Sequence, residues 1–236
     1  MNQFSNDLAA LTGVLRLATK YEVKFLQKWA VERLEWLLKL TTDPNPDDLI
    51  SFMTRNPQEE GTEWINGMLP LLDLALTVGV TWLLPGLFWR LQAARLSDIL
   101  FHPEWKGLSE QLKAQVLLCR EDARDDACSN FALVLRLHKK GTSHSNIPKG
   151  HDCAGRLKSF IFDSFTVLGP NAGDVINWSH YVDAYACASC KKRCDTVRRE
   201  MVIDAFVALQ KQLGLPSHAK MIEKREKYFE ELLTDE

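Results

Sequence analysis

The chain has 236 residues, 46% hydrophobic and 25% charged: enough apolar material for one large domain or two small ones, and too much for wholesale disorder. Lys+Arg number 29 and Asp+Glu 31, for a formal charge of -2, and this balance excludes a global attraction to nucleic acid or to an anionic membrane. Met1 to Asp7 carries neither a secretory nor a transit-peptide pattern, so the cytoplasm or nucleus is the expected compartment, with the six cysteines read as thiols or metal ligands before disulfides.

Helical periodicity begins at once. Leu8, Leu11, Leu15 and Ala18 recur at steps of three and four, as do Leu26, Ala30, Leu34 and Leu37, and Lys20-Tyr21-Glu22-Val23 separates the two sets. Two helices joined so closely are expected to pack as an antiparallel hairpin. The prolines of Thr41-Thr42-Asp43-Pro44-Asn45-Pro46 end the second helix. The pattern returns 57 residues later: Leu15, Leu17, Ala18, Val23, Leu26, Arg33 and Leu34 recur as Leu72, Leu74, Ala75, Val80, Leu83, Arg90 and Leu91, with Phe25 matched by Trp82. Two hairpins of one design, stacked because neither can bury its apolar face alone, are the physical reading. Met68 to Trp89 carries Asp73 as its sole charge, but Pro70, Gly79, Pro85 and Gly86 punctuate it, so it reads as two buried helices meeting at a turn and no membrane span is expected. Asp73 is expected to pair with Arg90 or Arg95, or to cap a helix.

Phe101 to Gly107 reads as a loop with an aromatic plug, and Ser109 as the cap of a helix running to about His138. Within it, Arg120 to Asp126 reads as a solvated charged face. Lys140 to Asp152 is a polar loop, Leu157 to Leu168 a helix stopped by Gly169 to Gly173, and Trp178 to Leu213 largely helical. Gly214-Leu215-Pro216 breaks that helix before a charged last one from Ala219 to Leu233. With no alternating strand pattern, the expected fold is all-α: two hairpins over 1–100, a long connecting helix over 101–138, and a C-terminal helical region over 139–236.

The sharpest local chemistry is Cys187-x2-Cys190-x3-Cys194, whose spacing puts three sulfurs on one helix face, with Cys153 upstream beside His151. Four such ligands suit one structural zinc, and His180 is an alternative fourth ligand. A plain cysteine stripe in a helical core accounts for the same spacing. The nearby Lys191-Lys192-Arg193 with Arg198 and Arg199 reads as a solvated face, or alternatively as a phosphate-contacting patch of a nucleic-acid-binding regulator. No phosphate-binding glycine loop, nucleophile elbow or zinc-protease motif is present, so binding to a protein partner, not catalysis, is the expected activity.

Leu15-Arg16-Leu17-Ala18-Thr19-Lys20-Tyr21-Glu22-Val23, followed by Leu26 and Ala30, resembles the last helical hairpin of fungal, basidiomycete-type BTB/POZ domain proteins. Ala75 to Leu91, Trp105-Lys106-Gly107-Leu108-Ser109, the Cys187-x2-Cys190 pair and Leu213-Gly214-Leu215-Pro216-Ser217 resemble that family's later landmarks, in order. The resemblance implies a BTB tail followed by a BACK-like helical region, and an adaptor linked to ubiquitin-ligase substrate recruitment. In the family an α/β core precedes this hairpin and provides the dimer interface and much of the cullin-binding surface. Only a short segment precedes the motif here, which puts the dimerisation and scaffolding implied by the resemblance in doubt; if the chain is truncated there, the apolar face of the Leu8 to Leu37 hairpin is expected to lack its natural cover and to be sticky or bind a partner.

Overall fold

The computed structural model describes residues 3–38, 64–122 and 188–233, and every regular element among them is a helix. Helix α1 (Gln3–Lys20) and helix α2 (Lys24–Leu37) form the first hairpin. Leu8, Leu11, Leu15 and Ala18 are buried along α1, as are Ala30, Leu34 and Leu37 along α2, while Leu26 is half-buried. Each fully buried leucine contributes about 1.5–3 kcal/mol. Thr41 to Pro46, the expected stop of α2, lies outside the described residues.

The second hairpin is α3 (Ile65–Val78), a 3-10 turn (Thr81–Leu83) and α4 (Leu84–Ala93). Its turn repeats the first one 57 residues earlier. Glu22 has φ 55° and Gly79 has φ 84°, both left-handed. The Glu22 and Gly79 amides donate to the carbonyls of Thr19 and Leu76, each at 3.3 Å. The Leu26 and Leu83 amides donate to Val23 and Val80, each at 3.1 Å. The left-handed residue closes the first helix and the valine opens the second, so the repeated residues specify a repeated backbone. Glycine adopts this conformation without strain, whereas Glu22 holds it against Cβ crowding.

The hairpins stack through α1 and α3, which are in contact. A Cβ on Gly67 would lie 2.7 Å from Leu8 Cγ and 3.0 Å from the Ala9 amide nitrogen, so a bare backbone is what lets the helices approach there. Met68 to Trp89 is thus two largely buried helices and a turn, and no helix among the described residues is long and apolar enough to cross a membrane. Asp73, expected from its apolar neighbours to pair with Arg90 or Arg95 or to cap a helix, is exposed on α3. Leu76 and Thr77 on the same stretch of α3 are exposed as well.

A short helix α5 (Leu96–Leu100) leads to a 3-10 turn (Pro103–Gly107), in which Trp105 is the buried plug and Phe101 stays exposed. His102 ties this turn to the start of α3. Its Nδ1 accepts from the Glu104 amide (3.2 Å), so the neutral ring carries its proton on Nε2, which lies 2.6 Å from Asn66 Oδ1. Burial holds the imidazole pKa below its ordinary value, opposed by the Glu104 charge. The Ser109 hydroxyl accepts from the Leu112 amide (3.2 Å), capping helix α6 over residues 110–122 as its sequence predicts. The remainder of that helix to His138, the polar loop and the Leu157 to Leu168 helix lie outside the described residues.

Helix α7 (Ala188–Gln212) and helix α8 (His218–Leu233) complete the described chain, with Gly214 at φ 64° between them. Leu112, Val116 and Cys119 of α6, Phe206 and Leu209 of α7 and Met221 of α8 join the hairpins in one apolar cluster. Gln212 of α7 donates to the Asp122 carboxylate of α6.

Burial, then the Asp122 charge, pushes the free Cys119 thiol from 9.0 up to about 12, and burial pushes Tyr228 from 10.0 to about 12. Between the unfolded and folded pKa values the native state holds more protons than the unfolded state. Stability from these groups is therefore full below pH 9 and falls as pH rises towards 12. Urea melts from about pH 8 to about pH 11 should show a declining midpoint, with a shallower decline in Cys119→Ala. Identical slopes in the two proteins would refute the role given to this thiol.

Candidate interaction surface

Helix α2 has a second face. Phe25, Trp29 and Trp36 are separated by four and seven residues, about one and two helical turns, so the three rings form a narrow stripe opposite Ala30 and Leu34. All three are exposed, at 64%, 50% and 62%, and Leu17 (57%) near the end of α1 and Tyr21 (65%) in the turn after it are exposed as well. Large aromatics rank among the most costly side chains to leave in water, and a contiguous group of them marks an interaction surface.

Cations lie on the rings. The Arg33 guanidinium sits 4.0 Å from the Trp36 ring centroid, and Lys20 Nζ 5.3 Å from that of Tyr21. Arg16 is exposed beside Leu17 and Lys28 is half-buried beside Trp29, while Glu22 and Glu32 are the exposed carboxylates of this surface.

The opposite edge of α2 is held by charge. Glu35, 7% exposed, accepts Trp82 Nε1–H at 2.7 Å and takes Arg225 of α8 in a two-pronged pair, Nε at 2.7 Å and Nη2 at 2.8 Å. The hydrogen bond to Glu35 is the main cause that raises the Arg225 pKa, against the pull of burial. Tyr228 meets Trp82 edge-on with centroids 5.4 Å apart, and Arg225 lies 4.7 Å from the Phe229 ring. One carboxylate thereby joins the first hairpin, the turn of the second and the last helix.

Of the cysteines proposed for zinc, Cys153 and Cys187 lie outside the described residues, as do His151 and His180. Cys190 and Cys194 fall one turn apart on the backbone of α7. Among the described residues no group of three or more histidine, cysteine or acidic side chains is placed to hold a metal. Lys192 and Arg199 are exposed on α7 and Lys191 is half-buried. Arg120, expected in a solvated face, instead turns inward: its Nη1 donates to the carbonyls of Leu91, Gln92 and Ala94 at 2.6, 3.0 and 2.7 Å. Carbonyls crowded at the end of α4, where the helix dipole is negative, favour the cation there.

Neither the stripe nor the Glu35 centre was read from the sequence. The four-and-seven spacing of Phe25, Trp29 and Trp36 was available as a signal, but the leucine face of the same helix masks it. In comparisons with known proteins, no family model, no curated protein and no solved structure matches the chain.

Proposed function

We propose that this protein is a helical interaction module that docks a protein partner on the aromatic stripe of α2. The observation that carries this reading is the exposure of Phe25, Trp29 and Trp36 on a helix whose other face is already buried. A helix with one buried leucine face needs no aromatic residues on its water side for folding, so their cost in solubility calls for a binding partner. The resemblance of Leu15 to Val23 to the terminal BTB hairpin supports the finer reading, an adaptor of the BTB type linked to ubiquitin-ligase substrate recruitment. The same hairpin carries the stripe.

A Phe25→Ser/Trp29→Ser/Trp36→Ser variant tests the reading. Because the three side chains are exposed, its thermal unfolding should stay within a few degrees of the parent. Affinity capture with the two proteins should then recover different partners, with the parent's specific partners lost from the variant. Identical recovery by two equally folded proteins would overturn the docking role.

A further inference from the structure

The cations on and around the rings identify the kind of partner. We infer that the α2 surface takes an acidic amphipathic peptide segment, one that presents aliphatic side chains to Phe25, Trp29 and Trp36 and carboxylates to Arg16, Lys20, Lys28 and Arg33. This inference rests on the docking role proposed above and specifies its ligand.

The argument is charge complementarity on an apolar surface. Arg16, Lys20, Lys28 and Arg33 outnumber the exposed Glu22 and Glu32 around the stripe, in a chain whose overall charge is -2. The positive excess is thus local to this hairpin face. Complementary potentials accelerate encounter and exclude partners of like charge. A second copy of the chain is disfavoured for that reason, because a two-fold contact would bring the same excess of positive charge to both sides. A bilayer is disfavoured because Glu22 and Glu32 stand among the rings and would have to leave water with them. A peptide helix with leucines at steps of three and four and glutamates beside them meets both features at once.

The test uses the full chain and four probes. These are a fluorescein-labelled helical peptide of leucine and glutamate, its lysine-for-glutamate twin, phosphatidylserine vesicles and an oligothymidine. The acidic peptide should bind, and its affinity should fall about tenfold or more between about 20 mM and about 300 mM salt. Its twin should not bind. Arg16→Glu/Lys20→Glu/Arg33→Glu should weaken the acidic peptide by at least about tenfold and lead the twin to bind, with the melting profile unchanged. Equal binding of both peptides, loss only on serine substitution of the rings, would overturn the acidic preference and leave the docking role standing. Stripe-dependent binding of vesicles or oligothymidine without the acidic peptide would overturn it too. No binding of any probe would overturn it as well, and the partner capture described above then decides the docking role separately.

Discussion

Replacing Glu35 with alanine is expected to lower the unfolding free energy by about 2–4 kcal/mol. The carboxylate is the shared acceptor of Trp82 Nε1–H and of the Arg225 guanidinium. Its removal leaves an indole donor without an acceptor at a site where Trp82 is only 7% exposed. The Arg225 side chain, 25% exposed, recovers part of its loss from water, which keeps the estimate below that for a fully enclosed pair. Urea melts of the parent, Glu35→Ala, Arg225→Ala and the double variant form a cycle, and its coupling should reach about 1–3 kcal/mol. Limited trypsin digestion gives a second readout: cleavage at the lysines and arginines of α8 should accelerate in Glu35→Ala. A change below about 0.5 kcal/mol, or strict additivity, would show that α8 is held without the Glu35 centre.

Arg120→Ala should cost about 2–3 kcal/mol for a different reason. Here the loss is of hydrogen bonds to backbone carbonyls. One guanidinium nitrogen serves the carbonyls of Leu91, Gln92 and Ala94, and Gln92 Nε2 returns a bond of 3.0 Å to the Cys119 carbonyl. The end of α4 and helix α6 are thus joined in both directions. Burial lowers the Arg120 pKa from its ordinary value, yet an arginine stays cationic at neutral pH, so the group also opposes the negative end of the helix dipole. Hydrogen exchange should accelerate locally at the amides of residues 92–95, and Arg120→Lys should restore part of the stability, since an ammonium supplies charge but not the planar fork. Unchanged exchange in a destabilised Arg120→Ala would place the loss elsewhere.

These two centres also show where sequence reading reaches its limit. Glu35 and Arg225 are 190 positions apart and Arg120 meets carbonyls 26 to 29 positions away. Periodicity identifies residues that share a face of one helix; it carries no information about which helix comes to lie against that face. Arg120 therefore reads from its charged neighbours as solvated, although it serves as a cap.

The internal repeat divides the two kinds of knowledge most clearly. Local chemistry determined the helices, the Ser109 cap, the break at Gly214 and the paired turns, because each follows from bonds and torsions within a few residues. Burial was decided by tertiary structure. Leu17 is 57% exposed and its counterpart Leu74 is 7%; Phe25 is 64% and Trp82 is 7%; Arg33 is exposed and Arg90 is 2%. The second hairpin packs against α1, α7 and α8, whereas among the described elements the first hairpin is met by α3 along α1 and by α8 along α2. The same pattern of residues thus became core in one copy and binding surface in the other, because hydrophobic burial depends on what packs against a face and not on the face alone.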